Sequence, residues 1–354
     1  MKKRNWLIFL GIIFFLAGCA GSFHSTLKYS SIGFNKSLQH AISEQMLLNL
    51  VRLRYGESPV FLEISSITTQ FSFSGNLGGK ANLVEGPESY SLDLGISYAE
   101  KPTFTFIPLQ GETFARRFLS PIPLEHLILL LNSGWRIDRI LRLCVQSING
   151  LPNAPTASGP TPALAPEFKH FLNLAKKLEI LRKKGKIKFL FIREKEKVFP
   201  ALVFLGEDPL IEEVRQILGL KPAPYYPLVG SETKRSAKVI QIETRSLIGT
   251  LFYLANGIEV PEEDLNTGKV VLTRYPDGKL FSWKSLLGDL FQVHYQKSLP
   301  SDALIAVKYR NYWFYISDRD ISTKSTFILL QQLFALEASK GKGVAPLLTL
   351  PIGE

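Results

Sequence analysis

Two thiols, five imidazoles, two hydroxyl–lysine pairs and one carboxylate pair are the groups in this chain that could carry chemistry. Cys19 ends the stretch Leu16-Ala17-Gly18-Cys19, whose small residues let an enzyme hold the extended backbone closely around the thiol. Cys144 lies in Ile140-Leu141-Arg142-Leu143-Cys144-Val145, an apolar run of helical character that predicts a buried structural thiol rather than a nucleophile. Ser25-Thr26-Leu27-Lys28 and Ser231-Glu232-Thr233-Lys234 each set a hydroxyl three residues before a lysine base, and neither has a supporting Lys-Thr-Gly element. His24, His40, His126, His170 and His294 are scattered without metal-ligand spacing. Asp318 and Asp320, beside Tyr312, Trp313 and Tyr315, suit either a glycosidase-type carboxylate pair or a turn and helix cap. Gly-x-Ser-x-Gly, His-Glu-x-x-His, a phosphate-cradling Gly-x-x-x-x-Gly-Lys-Ser/Thr and Cys-x-x-Cys are all missing from the chain. The site assignment is therefore lipidation at Cys19, with no catalytic, cofactor-binding or metal residue.

The elements before Cys19 explain why it is singled out. Lys2, Lys3 and Arg4 form a positive opening, and Trp6 to Leu16 is apolar apart from Gly11. That run is too short to span a bilayer and has the form of a secretory signal. With the small residues before the Cys, it resembles the bacterial lipobox. The resemblance implies a diacylglyceryl thioether on Cys19, cleavage after residue 18, and acylation, typically with palmitate, of the new amino group. Each buried methylene contributes about 0.8 kcal/mol, so one chain binds marginally whereas three make release negligible. Ala20, not Asp, follows the Cys, which in Gram-negative lipoproteins implies export to the cell outer membrane, with the mature domain in the periplasm. With Cys19 committed to lipid, Cys144 has no disulfide partner within the chain.

After residues 1–18 the chain is long enough for one large or two ordinary domains, and 45% hydrophobic content supplies a core. The formal charge of +11 falls by three with Lys2, Lys3 and Arg4. A basic exported protein meets anionic lipid, lipopolysaccharide or peptidoglycan rather than nucleic acid, and simple solubility also accounts for the charge.

Residues 19–35 are small and polar and read as a tether. Helical spacing over 36–55 ends at Gly56, with Pro59 beyond. The period then switches to two. Ile67, Thr69, Phe71 and Phe73 alternate with polar residues, as do Tyr90, Leu92, Leu94, Ile96 and Tyr98, and then Phe104 and Phe106. Three strands follow, near 64–75, 90–98 and 103–106, with a Gly-rich connection between the first two. A soluble sheet covering the helices at 111–148 is expected, and an amphipathic hairpin given to an oligomeric outer-membrane barrel has the same alternation. Helices are predicted over 112–119, 124–131 and 135–148, the last closed by Gly150. Arg136, Arg139 and Arg142 share one side of it, a solvated or salt-bridged stripe.

Pro152, Pro155, Pro160, Pro162 and Pro166 mark 151–166 as a linker unable to form a ladder. It would join an N-terminal lobe over 36–150 to a C-terminal lobe over 167–340, with an irregular tail at 341–354. From Lys169 to Lys197 there are 11 Lys/Arg against 3 Glu, on a helix and the hairpin after it, 186–193 with 198–205. Then come a helix over 209–218, a strand over 239–243, a helix over 246–255, a hairpin of 303–309 with 312–317, and a final helix to about 337. The expected class is α+β: antiparallel sheet segments packed with helices, in two lobes joined by the Pro-rich linker.

Four stretches carry a wider resemblance: Asn49–Gly56, Pro102–Gly111, Ser133–Asp138 and Tyr309–Asp320. Over roughly 40–338 the chain resembles a group of uncharacterised Gram-negative outer-membrane lipoproteins, which implies anchorage and transfers no activity. The expectation is a lipid-anchored envelope protein that works by binding or assembly, within an envelope protein complex. A subunit of an outer-membrane secretion or export complex and a glycan- or peptidoglycan-acting enzyme are the alternatives.

Overall fold

The first helix, α1 over residues 32–54, buries only its second half, where Leu47, Leu50, Val51 and Leu53 recur at helical spacing. Gly56 then adopts φ +75°, a left-handed position that terminates the helix without a Cβ penalty. The computed structural model describes residues 32–81 and 90–338, and for 65–104 the backbone alone. The expected signal segment 1–18, Cys19, His24, Ser25, Lys28, the connection at 82–89 and the expected tail at 341–354 lie outside the described residues. Helix already occupies 32–35, so the expected tether reaches less far into the chain.

The fold is α+β, in two compact units. One is centred on Val60–Arg116 and the other holds residues through Pro59 and Arg117–Glu337. The smaller unit is a hairpin. β1 (Leu62–Ala81) and β2 (Tyr90–Pro108) pair antiparallel from Leu62↔Pro108 to Ala81↔Tyr90, with one register shift between Ile64 and Ser66. The strands expected at 90–98 and 103–106 are thus one. Pro102 does not break it, because in a two-stranded ladder each strand has an open edge where a missing N–H is tolerated. Among the described residues these strands pair with no third strand, so the sheet here has two strands. Helix α2 (Glu112–Leu119) follows.

In the larger unit α3 (Leu124–Asn132) and α4 (Ile137–Cys144) lead into a six-stranded sheet. Its strands are β3 (Val145–Ile148), β4 (Leu151–Pro152), β5 (Ile187–Glu194), β6 (Lys197–Phe204), β7 (Tyr226–Val229) and β8 (Ile240–Thr244). Their order is β4-β3-β8-β7-β6-β5, antiparallel except for β7 beside β8. Helix α4 packs against α3, α5 (Lys169–Lys183) and α7 (Leu247–Ala255), while α6 (Pro209–Leu218) lies on α5. Short helices α8 (Glu262–Asn266) and α9 (Lys284–Leu287) precede a second sheet. In it β11 (Tyr312–Ser317) lies between β10 (Ala303–Tyr309) and β9 (His294–Gln296), and α10 (Ile321–Ala338) closes the unit.

Two expectations are corrected here. The helix predicted to run to residue 148 stops at Cys144, because Asn149 (φ +48°) and Gly150 (φ +75°) form a two-residue turn that folds β4 onto β3. The Pro-rich stretch 151–166 does not separate two lobes. Pro152 pairs with Ser147, Pro155–Ser158 form a 3-10 turn, and strands from both sides of the stretch share one sheet. Asn153 within it is fully buried, and its amide donates to the carbonyls of Val145 (2.6 Å) and Arg142 (3.0 Å), the open end of α4. Prolines cost this segment donors but leave its carbonyls free to accept, as Pro162 does from Thr273.

Candidate functional site

A cluster of interacting titratable side chains joins the end of α1 to the β10–β11 turn and α8. Tyr55 Oη donates to Asp264 Oδ2 (2.7 Å), and Lys269 Nζ donates to Asp264 Oδ1 (2.5 Å). The Arg310 guanidinium lies 4.7 Å from the Tyr55 ring centre and 5.3 Å from that of Tyr309. Glu57 Oε1 accepts from Tyr309 Oη (2.5 Å) and Arg310 Nη2 (3.4 Å). Phe314 meets the Tyr55 ring edge to face at 6.2 Å. Burial pushes the Tyr55 hydroxyl up, as does its bond to Asp264. Burial also pushes the Asp264 carboxyl up, but the bonds from Lys269 and Tyr55 outweigh it and hold it below the usual carboxylate range.

The chemistry of this arrangement is that of a charge-assisted clamp. Each phenol and carboxylate named is held by an internal partner. It grips Tyr55 and Glu57, just before the larger unit gives way to the hairpin unit after Pro59. Two of the stretches singled out in the sequence, Asn49–Gly56 and Tyr309–Asp320, meet here, and Glu57 accepts from Tyr309 across 252 residues. Each stretch was visible alone, but no local signal paired them.

A second cluster is internal. Arg245 is 1% exposed, donates to Ser158 Oγ (2.8 Å) and to the Asn153 carbonyl, and lies 4.2 Å from the Tyr253 ring centre. Burial lowers its guanidinium to about 10, which leaves it charged at neutral pH. Arg142 is also buried, acts on the same Tyr253, and binds Asp289 with two nitrogens, at 2.7 and 3.1 Å. Two of the three arginines of the expected stripe, Arg136 and Arg142, are therefore salt-bridged. Arg136 pairs with Asp138 (2.7 Å), and Arg139 reaches Ser322 (3.3 Å). Arg245, with no periodic pattern around it, gave no sequence signal.

The other sequence candidates are dispersed. Cys144 is fully buried, and burial pushes its thiol up to about 12, as a structural thiol requires. Asp320 caps α10, accepting from Thr323 N (3.0 Å), and Asp318 pairs with Lys324 (2.5 Å). Asp320 thus has the cap role, and Asp318 an ion pair in the turn before it. Tyr312 is buried, while Trp313 and Tyr315 lie half-buried on the other face of β11. His40 meets Glu44, His126 meets Glu337 and His294 meets Glu259, while His170 is exposed. Among the described residues no three His, Cys, Asp or Glu cluster as metal ligands. Ser231 and Lys234 lie in an exposed turn. In the basic segment Lys177, Lys183 and Lys184 pair with Glu213, Glu179 and Asp208.

In the hairpin the register sorts residue types by face. Phe73, Gly75, Leu77, Gly79 and Ala81 stand opposite Tyr98, Ile96, Leu94, Leu92 and Tyr90. The alternate positions, Ser74, Asn76, Gly78 and Lys80, stand opposite Ser97, Gly95, Asp93 and Ser91. At these positions one face is apolar or glycine and the other polar or glycine. No helix among the described residues is long and apolar enough to cross a membrane. No protein-family model, curated protein or solved structure matches this chain.

Proposed function

We propose that this chain is a lipid-anchored protein of the cell envelope that works by assembly, held in the outer membrane through lipid on Cys19 with its larger unit in the periplasm. The observation that carries the reading is the hairpin unit. Among the described residues its two long strands form a sheet with each other and with no third strand, and the outer edges of such a ladder can pair with another chain. A lone two-stranded hairpin is marginal in water, so a partner is expected to complete it. The net positive charge suits a location beside anionic head groups and polymers.

The test combines anchorage with partner capture. Cells carrying the full chain or Cys19→Ser are grown with labelled palmitate, crosslinked and fractionated. Cys19→Ser is expected to lose both label and membrane association. Crosslinks from the native chain to a second copy or another envelope protein are expected to disappear when residues 62–108 are replaced by a short flexible linker. Persistence of the label on Cys19→Ser, or crosslinks indifferent to the hairpin, overturns the reading.

A further inference from the structure

We infer that the hairpin is one stave of a transmembrane β-barrel built from several copies of this chain. The inference rests on the assembly reading above and names the partner as a second copy of the same chain, meeting it in a lipid bilayer.

The argument starts from length. β1 has 20 residues and β2 has 19. At about 3.4 Å per residue the ladder is about 65 Å long, whereas a tilted strand crosses hydrocarbon in about 9–11 residues. Only part of the hairpin is needed to span, and the register locates that part. From Tyr90 to Tyr98 every apolar-face position of β2 is apolar: Tyr90, Leu92, Leu94, Ile96 and Tyr98. The opposing positions of β1, from Ala81 to Phe73, are apolar or glycine. Glu100, opposite Phe71, is the next residue of β2 on that face and ends the band. A spanning length of apolar positions with tyrosine at both ends is the pattern of a lipid-facing strand with its aromatic girdles.

The other face fits a water-filled interior. Across the band it holds Ser74, Asn76, Gly78, Lys80, Ser91, Asp93, Gly95 and Ser97, all polar or without a side chain. A soluble sheet covering helices would account for one apolar face but not for a band of bilayer length bounded by tyrosines and then a glutamate. Closure follows from hydrogen bonding. A single hairpin in hydrocarbon would leave both outer edges unsatisfied, at a cost that only closed sheets avoid. β2 of one copy pairing with β1 of the next removes every edge. The smallest single-chain barrels have about 8 strands, so about four copies is the lower bound.

Leu77 and Asn76 are neighbours in β1 on opposite faces, which makes them the test. The full lipidated protein, Leu77→Lys and Asn76→Lys are extracted in mild detergent, sized, and added to planar bilayers of phosphatidylethanolamine and phosphatidylglycerol. The native protein is expected as a discrete multi-copy particle that gives stepwise conductance. Leu77→Lys is expected to insert at least about 30-fold less often, as for a lysine in the lipid-facing band. Asn76→Lys is expected to insert like the native protein and to shift the reversal potential toward anions, a change that a merely structural role would not produce. Thermal unfolding followed by tryptophan fluorescence checks that the larger unit is intact in each. A monomer without conductance, equal behaviour of the two lysine variants, or an unshifted reversal potential in Asn76→Lys overturns the barrel. If hairpin-dependent crosslinks and palmitate label survive that result, the assembly reading stands without the barrel. If they also fail, both fall.

Discussion

Replacing Tyr55 by Phe removes one hydroxyl and leaves the ring, so it isolates the bond that ties α1 to Asp264. Tyr55 is 7% exposed and Asp264 is 3% exposed, which makes this a charge-assisted hydrogen bond out of water. Such bonds contribute about 1.5–3 kcal/mol. Asp264 keeps Lys269 at 2.5 Å, so its carboxylate is not stranded, and the loss should fall near the lower part of that range, about 2 kcal/mol. For a unit of this size that corresponds to a fall of about 4–8 °C in Tm. Trp135, Trp283 and Trp313 all lie in the larger unit, so tryptophan fluorescence during urea unfolding reports that unit rather than the hairpin. In a cycle with Asp264→Asn, the two substitutions should couple by at least about 1 kcal/mol. The pH dependence supplies a second check. The Asp264 carboxyl is depressed in the folded protein, so its contribution is present above its unfolded value, about 3.9, and is lost as pH falls through the folded value. Without the Tyr55 bond the depression is smaller. The gap between native and Tyr55→Phe should thus be full at neutral pH and should narrow below about pH 4. Coupling under about 0.5 kcal/mol, or a gap that does not change in acid, would refute the clamp.

Cys144, the remaining thiol in Cys19→Ser protein, should resist a maleimide under native conditions and react stoichiometrically only in denaturant. Rapid native labelling would contradict its burial. His294 should make stability pH-dependent near neutrality, because Glu259 at 3.0 Å raises its folded value. That stabilisation is present below the unfolded value of about 6.5 and is lost as pH rises through the folded one. Urea midpoints between pH 6 and 8.5 should therefore lose part of their slope in His294→Gln, and an unchanged slope would assign it to other groups.

Where the signals for an element are all local, sequence and structure agree to the residue. Helix α6 runs over Pro209–Leu218 because Asp208 caps Leu210 N (2.9 Å), Pro209 occupies the first turn and Gly219 takes φ +64°. The β10–β11 hairpin keeps its expected bounds for the same reason: alternating residues flank a two-residue turn at Arg310-Asn311. Helix α4 shows the opposite case. Its apolar spacing continues to Ile148, but the Asn149-Gly150 turn and pairing with β8, whose partner residues lie almost a hundred positions later, redirect Val145–Ile148 into a strand. The Pro-rich stretch misled for a related reason. Proline content reports missing donors, while Asn153, Ser158 and Pro162 make their bonds through groups that proline does not remove.

By itself the sequence determined the α+β class, the caps and turns, the alternation that builds the hairpin, and the expectation of lipid on Cys19. All of these depend on residues within a turn or a strand of one another. Tertiary structure alone decided that the strands of 62–108 form a unit of their own, and that Arg142 and Arg245 are buried cations. It also brought Tyr55, Asp264 and Arg310 into one clamp. Those outcomes depend on which distant segments share a buried volume. No local pattern encodes that choice, because any of several partners could satisfy the same apolar face or the same charge.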